Sequence, residues 1–184
     1  MLTKYIIISL GFLLFAFFVF RVIIKREYKN RLRLSSVSYM LEILVFAIHA
    51  NLFYLTIPTK WPNLPPFPEN LEIRVVSTII FGIGLIILLI SWFRLGTKPS
   101  LGIDKNKLQT GGMYKYSRNP QLVGYGLMLT AFSIIFFSYL AFIWVLLFLT
   151  ASYFMVKSEE EFLEQKYNEE YIDYCRQVPR IIKI

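Results

Sequence analysis

The chain has 184 residues, of which 56% are hydrophobic and only 17% are charged, and its formal net charge is +8. A single core of this size cannot bury so much apolar surface, which excludes an ordinary soluble domain. The basic residues lie between apolar runs, a distribution typical of membrane proteins, so we expect no nucleic-acid partner. The single cysteine excludes an internal disulfide, and the single histidine excludes a multi-histidine metal site.

The apolar runs are continuous rather than alternating, and their lengths approach the roughly 20 residues that a helix needs to cross a bilayer. The sequence therefore predicts an all-α integral membrane protein that forms one domain over residues 1–184. The fourth and fifth runs are nearly contiguous, which predicts a tight antiparallel hairpin. The five predicted transmembrane helices cover residues 5–24, 37–57, 71–93, 121–137 and 139–156.

Two polar segments, residues 94–120 and 157–184, lie outside these helices. The second holds seven of the twelve acidic residues between Glu159 and Asp173, and its apolar residues recur at helical spacing. We therefore expect a cytoplasmic amphipathic C-terminal helix, with a bend and a helix N-cap at Asn168. Placing both segments and the basic loop after residue 24 in the cytoplasm puts sixteen basic residues there, against three on the other side. This bias predicts a multi-pass protein with its N-terminus outside and its C-terminus in the cytoplasm.

Two ionisable residues lie within the second predicted helix. Glu42 and His49 are seven residues apart and therefore share a helix face. An ionisable group within a membrane is a functional hypothesis by default. Glu42 is close enough to the predicted cytoplasmic end to reach the interface, however, and we favour a structural role for both residues.

The two polar segments carry a stronger signal. Residues 107–125 read KLQTGGMYKYSRNPQLVGY. This segment contains a glycine turn, an aromatic residue and an Arg-Asn-Pro sequence, in that order, directly before the first helix of the predicted hairpin. The hairpin then returns the chain to three consecutive glutamates that begin at Glu159. Arginine and carboxylates that converge at one end of a hairpin favour a small-molecule site. On these residues alone, an ion-pair cluster that anchors the helices is an equal alternative.

The order of these motifs resembles that of the isoprenylcysteine carboxyl methyltransferases and of the broader group of membrane phospholipid methyltransferases. The resemblance covers residues 108–179, with a Gly-x-Tyr, an Arg-x-Pro, a hairpin, a Glu-Glu pair and a tyrosine-rich tail. It implies an S-adenosylmethionine-dependent methyltransferase whose donor lies in a cytosol-facing pocket. The implied acceptor is a lipophilic small molecule or a lipid that enters from the membrane.

By position, the resemblance implies which residues form the site. Arg118 and Glu160 are the candidate catalytic residues, and no metal is implied. The implied cofactor-binding residues are Asn106, Lys107, Leu108, Gln109, Tyr114, Asn119, Pro120, Gln121, Leu122 and Glu159.

Two positions depart from the prenylcysteine enzymes. Asn119 replaces the histidine of their Arg-His-Pro signature and looks like the Asn-Pro of phospholipid methyltransferases. Met155 stands where they carry a substrate-binding arginine, so we expect poor activity on prenylcysteine carboxylates. The alternative to an enzyme is a helical membrane scaffold or assembly factor that retains the family fold without binding the donor.

Overall fold

The computed structural model describes residues 2–31, 33–57, 59, 63–95 and 108–182, and every regular element within these ranges is a helix. The α-helices are α1 (Leu2–Phe17), α2 (Lys25–Arg31), α3 (Ser36–Leu52), α4 (Leu71–Leu95), α5 (Pro120–Ile135), α6 (Tyr139–Tyr167) and α7 (Glu169–Gln177). A π-helical stretch at Phe18–Ile24 joins α1 to α2, so that the three form one continuous first helix. A short 3₁₀ turn at Phe53–Leu55 follows α3, and another at Gly112–Lys115 precedes α5.

Four helices in the described part of the chain are long and apolar enough to cross a membrane. They cover Leu2–Arg31, Ser36–Leu55, Leu71–Phe93 and Tyr139–Tyr167. The fourth predicted span, residues 121–137, corresponds to α5, which has only 16 residues and is about 24 Å long at the helical rise. The all-helical membrane class is thus confirmed, but α5 is shorter than the hydrocarbon layer it was expected to cross.

Two helices extend beyond their predicted ends. The basic stretch expected to form a loop after residue 24 continues the first helix as Lys25–Arg31. The fifth predicted helix continues from residue 156 to Tyr167, so its acidic residues share one rigid element with its membrane-crossing part. The bend at Asn168 is confirmed by a φ of 46° and a ψ of −121°, which lie outside the left-handed helical region that asparagine favours, and its side chain makes no capping bond to α7.

Two contacts with neighbouring helices position α5 and α6, the two helices of the predicted hairpin. Helix α4 crosses α5 at Gly84 and Gly124, where a Cβ on either glycine would lie 2.6 Å from the carbonyl oxygen of the other. The π-helical stretch of the first helix packs against α6, where Ser158 Oγ donates to the Phe20 carbonyl oxygen at 2.8 Å. These contacts fix the beginning of α5 and the polar part of α6 relative to the other helices.

His49 is fully buried between α3 and α6. Its Nε2 donates to the carbonyl oxygen of Trp144 at 2.9 Å, and Trp144 Nε1 donates to the carbonyl oxygen of His49 at 2.7 Å. The two rings also stack with their centroids 5.1 Å apart. This reciprocal pair agrees with the structural role expected for His49.

Candidate functional site

A pocket of about 160 Å³ lies where the start of α5 meets the polar part of α6. Helix α3 closes one side of it and α7 closes another. Its walls combine carboxylates, amides and tyrosines with an apolar face. The lining residues are Glu42, Leu108, Gln109, Tyr114, Arg118, Asn119, Gln121, Leu122, Met155, Val156, Glu159, Glu160, Leu163, Tyr167, Tyr171 and Tyr174.

The fold brings nine of the twelve site residues predicted from the sequence to this pocket. Pro120 does not line it, because its side chain is fully buried at the first position of α5, where proline favours helix initiation. Asn106 and Lys107 lie outside the described residues. The nine lining residues are Leu108, Gln109, Tyr114, Arg118, Asn119, Gln121, Leu122, Glu159 and Glu160.

The three consecutive glutamates of α6 point in different directions, because successive helical residues are rotated by about 100°. Glu159 and Glu160 both line the pocket. Glu161 faces the first helix instead, where it pairs with Arg21 at 2.9 Å and with Lys25 at 2.8 Å. One of the three therefore fixes α6 to the first helix, while the other two contribute to the pocket.

The two candidate catalytic residues form an ion pair with each other. Arg118 Nη1 lies 2.8 Å from Glu160 Oε1, and the two side chains are only 14% and 17% exposed. The same nitrogen lies 2.8 Å from Cys175 Sγ and donates to the Tyr171 hydroxyl at 3.3 Å. Arg118 thus connects the start of α5 to both α6 and α7.

The residues after α7 fold back over the start of α5. The Arg118 backbone N–H donates to the Pro179 carbonyl oxygen, and Asn119 Nδ2 donates to the Arg180 carbonyl oxygen, both at 3.0 Å. The Arg180 guanidinium pairs with both carboxylate oxygens of Glu160, at 3.0 and 2.6 Å. These hydrogen bonds raise the pKa of Arg180 above its ordinary value. The amide of Asn119 therefore holds the tail, in addition to lining the pocket.

Tyr114 lines the pocket and is held by a residue of α7. Tyr174 donates its hydroxyl to the Tyr114 carbonyl oxygen at 2.7 Å. Burial, and next to it the negative charge of Glu159, raises the pKa of the Tyr114 hydroxyl well above its ordinary value. Tyr114 therefore presents a neutral phenol to the pocket.

The family model for phospholipid methyltransferases matches residues 73–170, more than half of the chain, from α4 into the start of α7. The chain belongs to the phospholipid methyltransferase family. This confirms the resemblance inferred from the motifs and supports a multi-pass membrane methyltransferase. No curated protein and no solved structure shows significant similarity to the chain.

Seven of the lining residues were not assigned to the site from the sequence: Glu42, Met155, Val156, Leu163, Tyr167, Tyr171 and Tyr174. Glu42 was given a structural role, but it reaches the pocket from α3, outside the region that matches the phospholipid methyltransferases. Its position inside an apolar helix was the available signal. Met155 lines the apolar wall, so a thioether occupies the position where the resemblance to prenylcysteine enzymes implied an arginine.

Arg180, which contacts Glu160 but does not line the pocket, is a further residue that sequence reasoning missed. Arg180 comes directly after residues 108–179, which carry the resemblance. It reaches Glu160 only because the tail folds back over the start of α5. The site therefore contains both features that the sequence left open. It has a pocket of suitable chemistry, and it has an ion-pair cluster that anchors α5, α6 and the tail.

Proposed function

We propose that the protein is a membrane-embedded, S-adenosylmethionine-dependent methyltransferase that acts on a lipophilic acceptor. The observation that carries this proposal is the pocket itself. Residues from two separate parts of the family-matched region, the start of α5 and the polar part of α6, meet there around one cavity. The distribution of basic residues favours a cytoplasmic position for this cavity, on the side where the donor is available.

The pocket residues fit the chemistry of the proposed donor. S-adenosylmethionine carries an ammonium group, ribose hydroxyls and an adenine, which need hydrogen-bond acceptors, hydrogen-bond donors and an aromatic or apolar surface. The carboxylate of Glu159 accepts hydrogen bonds, and the amides of Gln109 and Gln121 donate as well as accept them. The ring of Tyr114 supplies a flat surface for a base.

When bound, the donor supplies an electrophilic methyl group on a sulfonium. The residues of this chain bind and orient the reactants and exclude water, and methyl transfer needs little acid–base assistance beyond that. Leu122, Met155 and Leu163 give the pocket an apolar wall on which a hydrocarbon chain can lie. Because Met155 cannot pair with a carboxylate, N-acetyl farnesylcysteine should be a poor acceptor.

The proposal is tested by titrating the purified protein in detergent with S-adenosylhomocysteine, the product form of the donor. Wild-type protein should bind it, and Glu159→Gln should weaken binding by roughly ten- to a hundredfold, because a hydrogen bond to a charged group is lost. Glu164→Gln is the matched control, since Glu164 is an exposed residue of the same helix outside the pocket. Its affinity should equal that of the wild type.

The opposite result has a clear meaning. If folded wild-type protein binds neither S-adenosylhomocysteine nor S-adenosylmethionine, the enzyme proposal is wrong. The non-enzymatic scaffold, which keeps the family fold and the ion-pair cluster without a donor site, then becomes the better account.

A further inference from the structure

A groove of about 460 Å³ runs along the end of the first helix, beside the start of α3. Within the described ranges, none of the residues that line it also lines the pocket of the candidate site, and all of them precede the family-matched region. On the first helix its lining residues recur every four or five positions from Phe18 to Arg31, a spacing that keeps them on one helix face. The groove is therefore a separate feature of the N-terminal part of the chain, about 20 Å long at the helical rise.

The surface of the groove changes from apolar to basic along its length. Phe18, Val22 and Ile23 line one end, and Phe18 and Val22 are 53% and 42% exposed. Arg26 and Arg31 line the other end. Basic residues that directly follow an apolar membrane span are typical of the level of the lipid headgroups. The groove thus offers an apolar surface and then a basic one, in the order in which a phospholipid presents its acyl chains and its phosphate.

The basic end of the groove has an excess of positive charge. Glu27 also lines it, but this carboxylate is only 13% exposed and accepts hydrogen bonds from the backbone N–H and the hydroxyl of Ser35, at 2.9 and 3.1 Å. Arg31 pairs with Glu27 at 3.5 Å and remains 66% exposed. Arg26 is exposed, and its guanidinium forms no ion pair in the part of the chain that the structure describes. The groove therefore attracts an anion and repels a cation.

We propose that this groove binds one anionic phospholipid, whose phosphate pairs with Arg26 and Arg31 while an acyl chain lies on Phe18 and Val22. A guanidinium matches the geometry of a phosphate because it donates two parallel hydrogen bonds. A free phosphate would leave the apolar end of the groove without a ligand, and a zwitterionic lipid would bring a cation to the basic end. This inference is independent of the proposed function, because it concerns a different part of the molecule and needs no methyl transfer.

Lys29 separates this site from a general attraction between basic residues and anionic lipids. It lies in the same helical segment as Arg26, is exposed and carries the same charge, but it does not line the groove. A general attraction predicts equal losses of lipid affinity when either residue is neutralised. A site in the groove predicts a loss for Arg26 that greatly exceeds the loss for Lys29.

The test measures lipid binding to the full-length protein in detergent, with native mass spectrometry as the readout. The probes are palmitoyl-oleoyl phosphatidylglycerol and palmitoyl-oleoyl phosphatidylcholine, which have the same chains and differ in net charge. The wild type should bind phosphatidylglycerol about tenfold more tightly than phosphatidylcholine. Arg26→Gln should weaken binding of phosphatidylglycerol by about tenfold, because a charge-assisted hydrogen bond to the phosphate is lost. Lys29→Gln should weaken it by less than about threefold. Because both residues are exposed, circular dichroism should show both variants folded like the wild type.

Three results would overturn the inference. Equal losses for Arg26→Gln and Lys29→Gln would show a general attraction rather than a site. Equal affinities of the wild type for the two lipids would show that the charge of the headgroup does not matter. Displacement of bound phosphatidylglycerol by an excess of inorganic phosphate would show an anion site that does not use the apolar end of the groove.

Discussion

Replacing Glu160 by glutamine tests whether this carboxylate is the centre of the ion-pair cluster at the site. Glu160 lies between two guanidinium groups, at 2.8 Å from Arg118 and 2.6 Å from Arg180. The substitution keeps the size and the hydrogen-bonding oxygen of the side chain but removes its charge. Arg118, which is only 14% exposed, then loses its carboxylate partner while keeping its contacts with Tyr171 and Cys175.

The exposure of the two arginines sets the expected magnitudes. Removing one partner of a fully buried pair costs about 3–5 kcal/mol, and the remaining contacts of Arg118 reduce this to about 2–3 kcal/mol for Glu160→Gln. Arg180 is 44% exposed, so Arg180→Gln removes a pair close to the surface and should cost at most about 1 kcal/mol. For a chain of this length each kcal/mol lowers Tm by about 2–4 °C. We therefore expect losses of about 4–12 °C for Glu160→Gln and no more than about 4 °C for Arg180→Gln.

Thermal unfolding in one detergent at one scan rate, followed by circular dichroism, measures both variants. The single variant Arg118→Gln and the double variant Arg118→Gln/Glu160→Gln serve as the coupling control. The double variant should lose less stability than the two single variants added together, because both single changes break the same ion pair. A Tm loss for Arg180→Gln that equals or exceeds that of Glu160→Gln would refute the reasoning from exposure. No loss for Glu160→Gln would show that the cluster does not stabilise the site.

Three further predictions follow from other contacts. Gly124→Ala should lower Tm because its Cβ would meet the Gly84 carbonyl oxygen at 2.6 Å, whereas Gly82→Ala, with nothing within 4 Å, should be neutral or stabilising by up to about 1 kcal/mol. A Tm loss for Gly82→Ala equal to that for Gly124→Ala would contradict this account of the crossing. Burial raises the pKa of the Tyr114 and Tyr174 hydroxyls. Their neutral forms therefore stabilise the fold below the unfolded pKa of about 10, and this contribution is lost as the pH rises above it. Tyr174→Phe should accordingly show a smaller fall in Tm between pH 9 and pH 11, and an unchanged fall would be evidence against the assignment. Cysteine-accessibility labelling should place the C-terminus in the cytoplasm and residues 58–68, between the second and third predicted helices, on the other side, and labelling of both from one side would disprove the orientation.

Continuous apolar runs were enough to predict the helices, but not where each helix ends. Hydropathy falls at Lys25, yet lysine, arginine and glutamate are good helix formers, and the first helix continues to Arg31. The opposite error occurs at α5. Phe136 and Phe137 extend the apolar pattern, but the backbone has already left the helix at Phe136, with φ −109° and ψ 57°.

The site was predicted where sequence order coincides with spatial order. The motif before α5 and the glutamates of α6 are joined by a short hairpin, so their convergence could be inferred from the sequence. Glu42 could not be assigned in this way, because its role depends on which face of α3 meets α6. The contact between Arg180 and Glu160 could not be predicted either, because it depends on the path of the tail after the bend at Asn168, where φ is 46°.

We propose above all that this site transfers a methyl group to a lipophilic acceptor. The most direct measurement incubates the purified protein with methyl-labelled S-adenosylmethionine and a lipid extract, and then identifies any labelled lipid by mass spectrometry. We expect a labelled lipid, with greatly reduced labelling by Glu159→Gln and unchanged labelling by Glu164→Gln. Absence of labelled lipid with folded wild-type protein, or equal labelling by wild type and Glu159→Gln, would contradict it.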